Sequence, residues 1–522
     1  MSRFRSRRAV WLGTVMLGVT VTAAVGGWSL TRPGPEQRTI TVGTTDEVAS
    51  LDPAGAYDAG SWRLFGNVYQ SLLTFTSGTA EPVPDAAEQC RFTDGGLRRY
   101  RCTLREGLTF SDGSPLTADD VKHTFDRILR IGHPRGPAPL FGTLREVRVD
   151  GQAVEFRLKT PDATFPYKIA SAAGSLVDSE LYPAGELLKG SRAVGSGPYA
   201  LQGYEPGREA RLVPNERYTG LLEERPTHPV RVRYYTEPAA LSAAWRNREV
   251  EVSAGELPPA ETAGISPSDE GIRIHEHPGL DIRSLVFNLR PSSPTARPAV
   301  RQAVASLVNR TAIARHVHRR TVEPLYSLIP RGVNGHGTPF HDRYGDPDAG
   351  RARELLRRAG VETPVRFEIA YSRGTAAAEE AEALRSQLEA SGLFEVTTRH
   401  HEWEDFRTGL AEGSFDACLM SWFPDFPDPA TYTDPLVGTD GAYHTGYGDP
   451  AVEELIRATR RGYDRTAEIQ RFQEIQRRVA ADVPVLPLWQ GKEYAVSTDD
   501  IAGVQYLSDN SGVWRLWELS RI

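Results

Sequence analysis

Between Arg38 and Gly43 apolar and polar residues alternate, the period of two expected of a half-buried strand. Leu51-Asp52-Pro53 then breaks the run into a turn. Cys90-Arg91-Phe92-Thr93 and Arg98-Arg99-Tyr100-Arg101-Cys102 flank Asp94-Gly95-Gly96, which predicts a hairpin. At Thr117 the period lengthens. Thr117-Ala118-Asp119-Asp120 is a near capping box, and Val121, Phe125, Ile128 and Leu129 fall on one helical face. A second helix is predicted from Asp348 to Ala359, with Ala352, Leu355, Leu356 and Ala359 as its stripe and Gly360 as its stop. Asp449-Pro450 opens a third that carries Leu455 and Ile456. A fourth starts near Asp464, uses Ile469, Phe472, Ile475 and Val479, and ends before Pro484. Strands and helices alternate throughout, so the fold class is α/β.

A chain of 522 residues is too long for one ordinary core, and two or three packed lobes are expected. Charged residues at 25% and apolar ones at 39% are globular values, which excludes disorder. Residues 1–35 hold five Arg and no acid, which leaves 56 basic against 68 acidic residues in the rest. That acidic body argues against a nucleic-acid partner, which needs clustered positive charge. The three Cys form no Cys-x-x-Cys pair, and His401-Glu402-Trp403-Glu404-Asp405 fails the His-Glu-x-x-His pattern at its last position. No Gly-x-Ser-x-Gly elbow, Ser-x-x-Lys or Walker sequence occurs, so no enzyme, cofactor or metal is expected.

Met1 to Arg8 carries four Arg, and Ala9 to Thr31 has no charge. A positive segment before an apolar one is the pattern of export, and the stretch exceeds the roughly 20 residues that span a bilayer. Residues 1–35 are therefore expected to be an export signal or an N-terminal membrane anchor. Both alternatives place the body outside the cytoplasm, secreted or held at the outer face of the membrane by this segment alone. Arg7-Arg8 leaves the general and twin-Arg export routes both open.

Several longer strings resemble one family. Leu51-Asp52-Pro53 with 67–73 (Asn-Val-Tyr-Gln-Ser-Leu-Leu), the run Leu104 to Val121, Gly195-Ser196-Gly197-Pro198-Tyr199 and Asn215-Glu216-Arg217-Tyr218 come in order. Phe287-Asn288-Leu289, the Val300 to Arg310 helix, Ala352 to Gly360 and Trp422-Phe423-Pro424-Asp425-Phe426-Pro427-Asp428-Pro429 complete the series. Together they are similar to the extracytoplasmic solute-binding proteins, family 5, of peptide and nickel ABC importers. The resemblance implies a two-lobed periplasmic-binding-protein-like clamp with a hinge and an extra subdomain inserted in the first lobe. It places the first lobe at 38–66, 195–283 and 494–522, the subdomain at 67–194 and the second lobe at 284–493. The hinge crossings fall near Leu280 to Asn288 and Tyr494 to Ser497. It further implies a monomer that captures peptides and passes them to a membrane permease with its ATPase. A nickel or other small-solute binder is the alternative within the family, and an exported hydrolase the alternative from another class.

In peptide-binding relatives the Asp three residues after a Trp pairs with the peptide α-amine, a pattern that falls here on Trp422 and Asp425. Trp403 stands nineteen residues before Trp422, where relatives also have Trp. Asp46 and Glu47 lie in the loop that faces the cleft in the family and would favour a cationic ligand. Relatives grip the peptide carboxylate with Arg where this chain has Leu410 and Leu419; Arg407 is a possible substitute. Adjacent His400 and His401 point to opposite faces of a strand, and His275 with His277 lacks a third ligand in sequence, so neither pair predicts a metal site. Asp428 is expected to structure its Asp-Pro turn. If Cys90 and Cys102 face one another, Phe92 faces Tyr100 and 95–97 is a three-residue loop, which predicts a disulfide that export permits. Cys418, in an apolar strand pattern, is expected to stay a buried thiol.

Overall fold

The alternating run becomes the strand Ile40–Thr44, which pairs in parallel with Val230–Tyr234 on one side and Val252–Ser253 on the other. It belongs to an eleven-stranded mixed sheet in a computed structural model that describes residues 38–222, 226–254, 257–266, 270–372, 374, 376–508 and 512–522. The export-signal stretch 1–35 lies outside the described residues.

Two long strands hold this sheet together. Ile272–Phe287 and Val485–Thr498 run antiparallel from Ile272 opposite Thr498 to Val286 opposite Val485. Their outer parts join opposite halves of the sheet. Val252–Ser253 continues the ladder from Ser497 and Val496, whereas Ala417–Trp422 continues it from Ile282 to Phe287. The pairing register shifts between Pro278 and Ile282, beside Gly279 and Gly491. A side chain at Gly491 would overlap the Asp281 carboxylate, so the two glycines let the strands pass at the bulge.

Three large apolar cores flank these strands. Ile40, Val42, Phe65, Tyr199 and Val230 pack with the C-terminal Leu507, Trp514 and Leu516. Leu285, Val300, Phe367, Leu384, Leu419 and Phe472 form a second core. The third gathers Tyr100, Cys102, Phe110, Phe125, Phe156 and Phe165 over the four strands between Ala87 and Leu158.

The motif strings hold these layers in place. Asp120 accepts from the Thr117 N–H at 2.8 Å at the start of the helix Ala118–Ile131. Within that helix Leu129 is exposed, contrary to the expected stripe, while Arg127 turns inward with its side chain 1% exposed. The guanidinium grips both Asp52 oxygens at 2.7 and 2.9 Å, which gives the Leu51-Asp52-Pro53 turn a structural task. Gly195 and Gly197 lie against the backbone of 67–69, where a Cβ would overlap the Val68 and Asn67 carbonyls. The helix expected from Asp464 begins at Ile469, because Arg465 points into the interior instead of continuing a surface turn. Leu355 and Leu455 are only half-buried, and Ala359 lies exposed beyond the end of the helix Ala349–Arg358.

Cys90 and Cys102 are opposite residues of the strands Ala87–Phe92 and Arg99–Leu104 and are disulfide-bonded. Phe92 sits opposite Tyr100 with ring centres 4.8 Å apart, and Leu97 has φ 51° at the end of the loop. Cys418 is buried in the second core, and burial pushes its thiol up to about 12.

Candidate ligand-binding cleft

A cavity of about 430 Å³ lies where the three cores approach one another. The helix Ala59–Val68 contributes Trp62 and Arg63, and 69–85 contributes Tyr69, Phe75 and Asp85. The crossing strands add Leu280, Asp281 and Glu493, and the C-terminal segment adds Arg515, Trp517 and Glu518. Phe423, Pro424, Asp425 and Phe426 close the opposite wall.

That wall is held from both ends. The strand Ala417–Trp422 delivers it, and Trp422 Nε1 donates to the Thr431 carbonyl at 2.7 Å, tying the loop to the helix Ala430–Val437. Pro424 and Pro427 fix φ around Asp425. Phe426 is buried in the third core, 5.7 Å from the Tyr167 ring centre, so the loop reaches across to the other side of the cavity. Asp425 therefore points along a constrained backbone between two packed anchors.

The Tyr57 hydroxyl donates to Asp425 Oδ1. No Lys or Arg among the described residues forms an ion pair with this carboxylate. Burial raises the Asp425 pKa, against smaller opposing effects of the Tyr57 hydrogen bond and the more distant Lys168. Burial and the neighbouring carboxylate likewise raise the Tyr57 phenol. A partly desolvated carboxylate answered by a neutral donor gains most from a cation, because a charge-assisted bond is worth about 1.5–3 kcal/mol.

The other expected site residues stand elsewhere. Trp422 packs edge-on to Tyr443 at 6.0 Å and does not line the cavity; it positions the loop that carries Asp425. Trp403 begins the helix Trp403–Glu412 and stacks on Phe406 at 6.0 Å, half-buried over the second core and outside the cavity lining. Asp46 takes a bidentate contact from Arg63 Nη1 at 2.7 and 2.8 Å, so it reaches the cavity only through Arg63, while Glu47 is exposed outside it. Leu419 is buried in the second core with Leu410 against it, and Arg407 pairs with Glu404 at 3.7 Å on the surface. Asp428 accepts from the Ala430 N–H at 2.8 Å across the Asp-Pro turn. His400 packs on Tyr371 and His401 on Phe415, and among the described residues no group of three His, Cys, Asp or Glu is placed to hold a metal.

Tyr57, Glu493 and Trp517 were not singled out from sequence, and no local pattern marks them. Asp281 carried a faint signal, since it adjoins the expected hinge crossing at Leu280.

A mixed α/β sheet continued through two crossing strands, with a cleft between packed layers, defines a two-lobed binding protein. The chain belongs to the bacterial extracellular solute-binding proteins, family 5, whose "Middle" region matches residues 81–444. Di/tripeptide-binding protein 2 of Pseudomonas aeruginosa is 26% identical over 96% of this chain and 97% of its own length. The structure of HbpA2 from Haemophilus parasuis superposes with a TM-score of 0.80 at 21% identity, covering 93% of this chain and 100% of that one. The dipeptide binding protein from Pseudoalteromonas sp. SM9913 in complex with Met-Leu gives 0.77 at 21% identity, over 93% and 100%. Both solved structures share the fold. No helix among the described residues is long and apolar enough to cross a membrane.

Proposed function

We propose that this protein is the extracytoplasmic substrate-binding component of an ABC importer, capturing short peptides by hinge closure for delivery to a permease. The observation that carries it is the Asp425 carboxylate, set in the wall of the cleft with a tyrosine hydroxyl and, among the described residues, no Lys or Arg paired with it. A peptide α-ammonium supplies the missing charge. The cavity of about 430 Å³ falls in the range of roughly 300–1,000 Å³ for enclosed small ligands. The peptide relatives in the family support the ligand class. The lobes are proposed at 38–66 with 195–283 and 494–522, at 284–493, and at 67–194 for the inserted subdomain; the three separate cores support this division. The hinge is proposed at the two crossings near Leu280 to Asn288 and Tyr494 to Ser497, and the register shift between Pro278 and Ile282 beside the first supports it. No bond is made or broken, residues 1–35 direct export or anchoring, and the protein acts as a monomer.

Peptide co-purified with the protein, identified by native mass spectrometry, tests the ligand class. Calorimetry with that peptide and its N-acetylated form tests the amine site: equal affinity for both would remove Asp425 from that role. Small-angle scattering should show a smaller radius of gyration in the presence of saturating peptide, and an unchanged radius with confirmed binding counts against closure. A product accumulating on prolonged incubation would instead favour a hydrolase.

A further inference from the structure

Three buried arginines in this protein meet carboxylates. Arg127 is paired with Asp52, Arg465 with Asp428 and Arg283 with Glu380, all deeply buried. Arg310 is buried without such a pair, and unlike Arg301, whose nitrogens reach backbone carbonyls, it keeps a nitrogen without a partner. Its side chain is 2% exposed, its Nε donates to the Pro487 carbonyl at 2.6 Å, and its guanidinium lies over the Tyr326 ring at 4.7 Å. Nη2 has no hydrogen-bond partner, and no Asp or Glu among the described residues pairs with the group. Burial lowers its pKa to about 10, which leaves it charged at neutral pH. A buried cation without a counter-ion is costly, and the cost is relieved when an anion comes within hydrogen-bond reach.

Arg310 is also among the residues lining a cavity of about 320 Å³, apart from the cleft. Arg315, His316, Asn309 and Thr311 line it as well, so its polar surface is rich in donors. Ile313–Val317 is a single π turn, an interruption of regular helix at the segment that carries Arg315 and His316. Both are exposed. Asp346 is the one carboxylate among the described lining residues and is exposed on the facing loop.

We propose that this cavity binds a phosphate-class oxyanion, with Arg310 supplying the buried charge and Arg315, His316 and Thr311 supplying donors nearer the surface. The guanidinium fork matches two oxygens of such an anion, and the Tyr326 ring holds it in plane. The inference is independent of what the cleft binds.

Isothermal titration of the full chain in a chloride buffer, with inorganic phosphate and separately with glycerol 3-phosphate, tests it. Saturable binding of phosphate is expected, and the ester arm decides whether the cavity takes the free ion alone or a phosphomonoester too. Arg310→Met should abolish binding. Should that variant fail to fold, Arg315→Ala combined with His316→Ala, both exposed positions, should weaken phosphate by roughly tenfold or more. Asp346→Asn should tighten it by removing a like charge at the facing loop. Absence of saturable binding at millimolar concentrations of either probe, or binding indifferent to Arg315→Ala with His316→Ala, overturns the proposal.

Discussion

Asp428 receives Arg465 Nε and Nη2 at 2.7 Å each, and both side chains are almost wholly buried. Three residues earlier on the same loop, Asp425 faces the cavity and receives only a tyrosine hydroxyl among the described residues. Both are aspartates beside prolines, and local sequence does not separate them. Their partners do. Arg465 turns inward ahead of the helix Ile469–Asp482 and neutralises one carboxylate, whereas no Lys or Arg among the described residues pairs with the other. Under the proposed function, the contrast marks Asp425 by the cation it lacks among the described residues, not by its burial.

The largest effect should come from the paired residue. Asp428→Asn leaves the Arg465 charge buried without its counter-ion and should cost about 3–5 kcal/mol in denaturant unfolding. A loss below 1 kcal/mol would erase the distinction between the two aspartates.

Stability can also be lowered at a distance from the cleft. Replacing Cys90 and Cys102 with Ser opens a bridge of sequence separation 12 and should cost roughly 3 kcal/mol while leaving peptide affinity unchanged. Non-reducing peptide mapping of the wild type that finds both as free thiols would rule this out.

Asp425→Asn should show the reverse. Affinity for the co-purified peptide should fall by roughly tenfold or more, from about 1.5–3 kcal/mol for a hydrogen bond to a charged group. Its stability effect has an unusual sign. Because burial raises the Asp425 pKa, the folded chain binds more protons than the unfolded one between the ordinary carboxylate value and the raised one. Stability from this group therefore falls as pH rises through that window, and Asp425→Asn should be neutral or slightly stabilising at pH 7. Peptide affinity should weaken as pH drops through the same window, with proton release on binding, and the Asn variant should lose that dependence.

The smallest effect belongs to Tyr57, which is 42% exposed. Tyr57→Phe should change affinity by roughly fivefold or less. Without its hydrogen bond the Asp425 pKa rises further, so the acid loss of affinity should begin at higher pH. Calorimetry across pH distinguishes this from simple loss of packing, which would leave the midpoint in place.

Much of the framework was legible before the structure. The strand at Ile40, the hairpin register that sets Cys90 opposite Cys102, the capped helix at Thr117 and the stop at Gly360 depend on residues within a few positions of one another. The ordered motif series also led to Asp425, and that residue lines the cavity. The stripes departed most at Leu129 and Ala359, which are exposed, and less at the half-buried Leu355 and Leu455, because burial depends on the packed neighbour and not on the helix alone.

Tertiary structure alone decided which polar groups meet. Tyr57 and Asp425 are 368 residues apart, Arg127 and Asp52 are 75 apart, and the C-terminal Trp517 reaches a wall begun by Trp62. Trp422, expected in the site, serves it from behind through Thr431, and Asp46 does so through Arg63. Hydrophobic period and turn chemistry act over one or two turns of chain, so sequence expresses them directly. Electrostatic pairing acts through space over a few ångströms, and which charges come that close is settled only when the lobes have packed.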